Sequence, residues 1–418
     1  MAAKVVIFRN INKILVIFFQ QIADLWGKLT TICKFIPIFP RKAIFVPMFS
    51  APQQTRICFT VTNDLTYDQR MQRICRSLSK NGFQVLLTGR KRKFSIPLNN
   101  EKYIQKRIPC FFEKGKLFYT EYSIRLFFTL LFTEFDIICA IDLDTILPCY
   151  IISVLKRKKR VYDAHEYFTE QKEIVSRKII LQFWNGIAEF CIPRFINGYT
   201  VNEFIRQEFS KKYAVEYTVI KNLPEMTGPV PIIPVNSKRF IIYQGAVNEG
   251  RSFETIIPAM KAVNCQLLIF GEGNFLKQTK NLILENKLED KVILKGTLTP
   301  ELLKEITPYA YFGLMIFEGK GLNQIHSLSN RFFDYIMAGI PQVCINFPEY
   351  EKINDTYKVA WMINSTDSKT ISDAMNKLLN NNVTYLELKK NACIAREQLN
   401  WESAEEKKLL SFYQTLLT

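Results

Sequence analysis

At 418 residues the chain is long enough for two domains, each with its own hydrophobic core. Hydrophobic residues at 48% and charged residues at 23% describe a globular protein and exclude a disordered one. The formal net charge of +17 is concentrated in one half: residues 1–225 hold 35 Lys+Arg against 19 Asp+Glu, and residues 226–418 hold 21 against 20.

Ten cysteines form no CxxC or His-paired cluster, and with two histidines in the chain a metal site is not expected. Reduced thiols and a cytoplasmic setting follow as the default. A basic half suits nucleic acid, an anionic membrane surface or an anionic substrate. No nucleic-acid signature accompanies Arg90–Lys93 or Lys156–Arg160, so the expectation is a membrane surface and no nucleic acid, although such runs read equally as solvated surface.

In residues 1–50 the piece Lys13–Trp26 is too short and too interrupted to span a bilayer, which needs about 20 apolar residues. No small-residue cleavage site follows it. Lys4, Arg9, Lys13, Lys28, Lys34, Arg41 and Lys42 surround it with Asp24 as the one acid, so it reads as an interfacial segment; a helix docked on protein is the alternative.

A first α/β domain is expected over 51–222. Arg56–Val61 reads as its first strand, a helix runs to Lys80, Asn81-Gly82 stops it, and Phe83–Thr88 is a second strand. The intervening loop places Asn63, Asp64, Tyr67 and Arg70 at the carboxyl edge of a sheet, where ligands bind in open α/β folds. Asp68 and Arg70 read equally as a helix-start carboxylate and a surface base. Lys116–Phe135 is an aromatic-rich helix apolar on more than one face, buried twice or facing lipid. Asp136–Ile141 is a strand delivering Asp142 and Asp144, a pair able in principle to hold a divalent cation. Val161–Ala164 delivers Asp163, His165 and Glu166 to its carboxyl end, and two closing strands follow at Gly198–Asn202 and Tyr217–Asn222.

The Pro-rich stretch 223–237 reads as a linker to a second domain at 238–395, with a terminal helical segment at 396–418. Arg239–Gln244 leads into Gly245 and Arg251, and Gln266–Phe270 leads into Gly271 and Gly273: strands with glycines at their edge that admit a diphosphate. Tyr311–Phe317 is a buried strand, Ser329 an N-cap, Asn330–Ala338 a helix, Gly339 and Pro341 its stop, and Gln342–Ile345 the returning strand. Phe332/Ile336 and Phe333/Met337 are core pairs; Asn330 and Asp334 share another face. Such a helix N-terminus suits a diphosphate, and a carboxylate one turn in suits a ribose diol, although a plain N-cap and a solvated Asp fit the same residues.

NRFFDYIMAGIPQV closely resembles the donor segment of glycosyltransferase family 4, and Asp163-Ala164-His165-Glu166 is similar to that family's D-x-H-E signature. Four motifs occur in the family's order over roughly residues 56–415. The resemblance implies a GT-B fold: α/β, with two Rossmann-like domains facing each other across a cleft and the last helix crossing back. It implies a retaining, metal-independent bacterial transferase with no cofactor beyond a nucleotide-sugar co-substrate. The expected acceptor is a glycan or lipid-linked, in cell-surface polysaccharide synthesis, and with the basic half and the segment Lys13–Trp26 the expected location is the cytoplasmic face of the inner membrane.

By this resemblance His165, with Glu166 and Asp163, is catalytic, His165 bridging acceptor hydroxyl and donor phosphate. Gly245, Arg251, Gly271, Gly273, His326, Ser329, Asn330 and Asp334 bind donor, with Asp334 in the ribose-binding position. Asp64, Arg70 and Asp142 line the acceptor side, Asp142 capping its helix and not holding a metal. The sequence departs from the family at Ala246, where an Arg is usual and Arg251 is left as the cation, and at His326, where the family has an acid. An epimerase of the same fold and an inactive scaffold are the competing readings.

Overall fold

A computed structural model describes residues 54–232 and 239–417, with the side chains of residues 172 and 173 excepted. The interfacial segment expected in residues 1–50 lies outside them. Two parallel-stranded sheets organise the chain. The first contains β1 (Arg56–Thr60), β2 (Gln84–Lys91), β3 (Ile104–Pro109), β4 (Ile137–Ile141), β5 (Lys159–Ala164), β6 (Asn197–Thr200) and β7 (Thr218–Val219). Its order is β3-β2-β1-β4-β5-β6-β7. The second contains β8 (Phe240–Gln244), β9 (Gln266–Phe270), β10 (Val292–Gly296), β11 (Phe312–Met315), β12 (Gln342–Ile345) and β13 (Ala360–Ile363), ordered β10-β9-β8-β11-β12-β13. Each order reverses direction beside its first strand, the topology of doubly wound α/β sheets.

The chain divides into two compact units. Among the described residues one comprises 54–165, 177–199 and 209–217; the other comprises 166–176, 200–208, 218–232 and 239–417. The central strands are near-continuous apolar runs because helices cover both faces of a parallel sheet; every residue of β4 and β12 is buried. The strands the sequence reading lacks, β3 and β13, lie at sheet edges. Ile104, Gln105, Lys106 and Arg107 give β3 a half-solvated face and no apolar run to detect.

In the first unit, α1 (Gln69–Lys80) is capped by Asp68, whose carboxylate accepts the Met71 N–H. Asp68 is thus the helix-start carboxylate. Helix α2 (Gly115–Leu131) buries Phe118, Tyr122, Leu126 and Leu130, while Leu117 and Tyr119 in its first turns stay exposed. The Tyr122 hydroxyl donates to the Val61 carbonyl and pins α2 to the loop after β1. Helix α3 (Asp142–Leu155) starts directly at the end of β4, and α4 (Lys178–Cys191), which sequence patterning did not show, follows β5.

In the second unit, α5 (Asn330–Met337) lays Phe332, Phe333, Ile336 and Met337 into the core between β11 and β12. Tyr335 lies against Gly313, where any Cβ would fall 2.3 Å from its ring, and its hydroxyl donates to Ile242 O at 3.2 Å. Gly313→Ala should therefore cost stability by overpacking, about 1–3 kcal/mol in chemical denaturation; an unchanged midpoint would show that the ring can withdraw. The chain continues through helix α6 (Glu406–Thr415), grouped with this unit. The nine cysteines among the described residues are free thiols. No described helix is long and apolar enough to cross a membrane.

Candidate functional site

The candidate residues gather into two clusters, one in each unit. In the first, the carboxyl ends of parallel β1, β4 and β5 lie on one sheet edge, with Ile141 beside Asp163 in register. Asp163 is fully buried and accepts from Arg70 at 3.1 Å; Arg70 is itself only 4% exposed. Arg70 is therefore not a surface base. Its guanidinium is the counter-charge that makes a buried carboxylate tenable, since an unpaired one would have to take up a proton. Burial pushes the Asp163 carboxyl up, but Arg70 and then His165 outweigh it and hold it below its ordinary value.

His165 completes the chain. Its Nε2 lies 2.9 Å from Asp163 Oδ2, and its backbone N–H donates to Asp142 Oδ1 at 2.9 Å. Asp142 reaches this position from a left-handed backbone conformation, φ 55°, which Asp tolerates better than most residues. Asp142 thus serves the turn into His165, and Asp144 accepts from the Thr62 hydroxyl at 2.6 Å. Among the described residues no group of three or more His, Cys, Asp or Glu side chains is arranged to hold a metal ion.

Burial lowers the His165 pKa, but Asp163 and Asp142 overcome it and raise it from 6.5 to about 8. The ring is mainly an imidazolium at pH 7, a donor between two carboxylates. A raised histidine stabilises the fold fully below about pH 6.5, and that contribution is lost as pH rises through about 8, about 2 kcal/mol in all. Asp144 moves up as well: burial raises it to about 6 against the Thr62 hydrogen bond. Its Oδ1 is buried with no partner, so it is a polar group of this edge whose role the motif alone did not reveal.

Asp64 is drawn elsewhere. It accepts from Arg107, the Ser95 and Thr66 hydroxyls and the Thr66 N–H; burial pushes its carboxyl up, but Ser95, the Thr66 N–H and Arg107 together hold it below the ordinary range. This ion pair clasps the loop after β1 to β3, so Asp64 is committed to loop structure. Glu166 belongs to the other unit's segment, where it accepts from Gln171 Nε2 at 2.7 Å and Asn323 Nδ2 at 3.3 Å.

The second cluster lies at the carboxyl ends of β8, β9 and β11. Gly271 and Gly273 are explained by the protein itself. A Cβ on Gly271 would come within 1.9 Å of Gly245 O, and one on Gly273 within 2.3 Å of Val247 O. The two glycine loops lean on each other, with Gly245 N–H donating to Phe270 O and Val247 N–H to Glu272 O. Gly245, at φ 118°, has open space where its Cβ would point.

Arg251 packs over the Phe317 ring at 4.4 Å, and Arg331, from the first turn of α5, packs over Tyr243 at 4.1 Å and Phe317 at 5.2 Å. Arg251 is therefore not the sole cation here. Two guanidinium groups flank one ring, and neither forms an ion pair among the described residues. Burial, then the neighbouring Arg331 charge, pushes the Arg251 pKa down, whereas the burial of Arg331 is outweighed by Tyr243 and Tyr335, which raise its pKa. Arg331 Nε is buried without a partner. Arg331 was missed in the sequence reading; its signal was to be the one base of its helix, beside the core pair Phe332 and Phe333.

Ser329 caps α5 by position, but its side chain makes no capping bond, and its N–H donates to Tyr350 Oη at 3.0 Å. Asn330 Oδ1 accepts from Asn222 Nδ2 at 2.7 Å. Asp334, one turn in, accepts from Gln244 Nε2 at 3.1 Å; Gln244 Oε1 in turn accepts from the Thr307 hydroxyl at 2.7 Å. Gln244 and Thr307 orient the carboxylate and were not singled out from sequence. The His326 ring stacks on Phe204 at 3.6 Å and its carbonyl accepts from Asn202. Burial lowers its pKa, so the ring is neutral at pH 7, with Nδ1 buried and unpartnered.

The fold and this pair of sheet-edge clusters define a GT-B protein. Residues 232–394 match the family model described as glycosyl transferases group 1. The chain thus has the GT-B fold, and over those residues it is similar to group 1 glycosyl transferases. Similar solved structures include sucrose-phosphate synthase from Thermosynechococcus elongatus, with TM-score 0.69 and 14% identity over 87% of this chain and 99% of that one. HepE of Anabaena, solved with UDP-glucose, has TM-score 0.67 and 13% identity over 87% and 99% of the two chains. WaaG, a glycosyltransferase involved in lipopolysaccharide biosynthesis, has TM-score 0.63 and 14% identity over 84% and 98%. At such identities the likeness is one of fold. No curated protein matches the chain.

Proposed function

We propose that the protein transfers a sugar from a nucleotide-diphosphate donor to a glycan or lipid-linked acceptor, in bacterial cell-surface polysaccharide synthesis. The observation that carries this reading is the Arg251–Arg331 pair around Phe317, placed with the N-terminus of α5 and a carboxylate at Asp334. Two uncompensated guanidinium groups and a row of backbone N–H groups suit a diphosphate, and the carboxylate suits the ribose diol of the same molecule. That HepE was solved with UDP-glucose supports a nucleotide-sugar donor.

In this reading transfer is retaining and needs no metal or other cofactor. Arg251, Arg331 and the α5 N–H groups stabilise the leaving diphosphate as its charge develops, the term that dominates such reactions. His165, held as an imidazolium by Asp163 and Asp142, hydrogen-bonds the acceptor hydroxyl or the departing phosphate. The neutral His326 stands where family relatives place an acid. The protein works from the cytoplasmic side of the inner membrane, peripheral to an anionic surface.

Titration calorimetry with a panel of nucleotide sugars, followed by an acceptor-dependent release assay, tests the proposal. Free nucleoside diphosphate appearing only with acceptor supports transfer; sugar isomerised without acceptor supports an epimerase, and no nucleotide binding supports an inactive scaffold. Asp334→Ala should weaken nucleotide binding by about 1.5–3 kcal/mol, roughly 10- to 150-fold, with unchanged circular dichroism. Equal affinity in variant and parent removes Asp334 from the donor site.

The pH profile adds a second check. Turnover should decline above about pH 8, where His165 loses its proton, and that limb should disappear in His165→Gln. A limb retained in the variant belongs to another group.

A further inference from the structure

The first unit carries an exposed apolar edge that the transfer reaction does not use. Phe94, Phe111, Leu117 and Ile179 are 88%, 79%, 61% and 76% exposed, and Phe112 and Phe183 are also exposed. They come from three stretches that the fold draws together. Lys91 at the end of β2 pairs in register with Pro109 at the end of β3, which brings 91–94 beside 109–112. Arg90 donates to Glu113 and packs over Phe118, tying β2 to the start of α2. Tyr119 packs edge-on against Trp184 at 5.7 Å, tying α2 to α4.

This edge is built and not merely frayed. The Glu121 carboxylate, 9% exposed, accepts the N–H groups of both Phe111 and Phe112 at 2.9 Å, and Arg125 pairs with it at 2.8 Å. A buried carboxylate is committed to holding this loop; Arg125 also lies over the Phe111 ring at 5.0 Å, yet Phe111 stays 79% and Phe112 45% exposed. The Arg125 contact covers one side of one ring only, and the apolar surface left in water is unfavourable for folding by itself.

The charge around it selects the occupant. Lys93, Lys114, Lys116, Arg177 and Lys178 are exposed among these residues, and Glu113, already paired with Arg90, is the one acid in stretches 91–94, 111–119 and 177–183. A second copy of the same basic edge would be repelled, and residues 1–50 carry seven bases to one acid, so neither is complementary. Apolar side chains ringed by bases suit an interface with anionic headgroups above and acyl chains beneath.

We propose that this edge, at the carboxyl ends of β2 and β3 and the N-terminal turns of α2 and α4, docks the protein on an anionic lipid surface, with Phe111 and Phe112 inserted below the headgroups. It rests on the reading above only for why a transferase would sit there; docking is measured without donor or acceptor, so either can fail alone. The full chain should sediment with vesicles of phosphatidylcholine plus phosphatidylglycerol more than with phosphatidylcholine alone, and in part resist high salt, because inserted rings are not screened. Phe111→Ser/Phe112→Ser should remove the salt-resistant fraction and lower partitioning about tenfold. Lys114→Gln/Lys116→Gln should remove mainly the salt-sensitive part. Thermal unfolding of the lysine variant should match the parent, and the phenylalanine variant should stay folded with a midpoint lowered only by the lost Phe111–Arg125 contact. Partitioning unchanged in the phenylalanine variant, or no binding by the parent, overturns the proposal. A parent dimer that this variant dissociates, with no vesicle binding, assigns the edge to a second copy and overturns it equally.

Discussion

Arg70→Met should lower the unfolding free energy by about 3–5 kcal/mol, measured as a shifted urea midpoint at constant slope. The substitution keeps the length and packing of the side chain but leaves Asp163, fully buried, without its counter-charge. The deficit should shrink as pH falls: with Arg70 absent, protonating Asp163 removes the buried charge in the variant, whereas the parent loses an ion pair it profits from. The double variant Arg70→Met/Asp163→Leu should recover part of the loss, since replacing a buried pair by apolar residues is far less costly than breaking it. A midpoint within about 0.5 kcal/mol of the parent would mean that solvent reaches Asp163.

His165→Ala should reduce turnover by about 100- to 10,000-fold while leaving nucleotide affinity nearly unchanged. The argument rests on geometry: the ring is held from one side by Asp163 at 2.9 Å, and its backbone is held by Asp142. Those contacts stabilise the protonated form and fix the ring plane, the preparation expected of a group that donates to a reacting oxygen. Removing it also frees Asp163 to keep only Arg70, so a modest loss of stability accompanies the loss of rate. Turnover preserved at saturating acceptor would make His165 a structural partner of Asp163 and nothing more. Assaying at pH 7 and pH 9 separates the effects, because only the parent should lose activity across that interval.

The elements with long apolar runs were legible from sequence. β1, β4, β5, β8, β9 and β12 were each located to within about two residues, because strands buried on both faces carry no polar alternation to confuse them. The helix from Asn330 and its stop at Gly339 were equally plain, because capping, core pairs and a left-handed glycine coincide there. The order of motifs pointed to the GT-B fold. Edge strands such as β3 escaped, since half their residues face solvent and obey no burial pattern.

What each polar residue does was settled only by folding. Asp64, Asp68, Arg70, Asp142 and Asp163 all stand near strand ends in the sequence, and spacing gives them equal claim to a ligand. Asp68 caps its own helix, but Arg70 pairs with Asp163 and Asp64 with Ser95 and Arg107, partners 31 to 93 positions away. Long-range pairing decides which carboxylate is spent on structure and which stays poised, and no local rule reports it. The same holds for Arg331, brought beside Arg251 by the return of the chain through β11. Composition and periodicity determined the layers, because burial acts residue by residue along a strand or helix. The charges found their roles only when distant segments met, because the energy of a buried charge depends on what the fold places next to it.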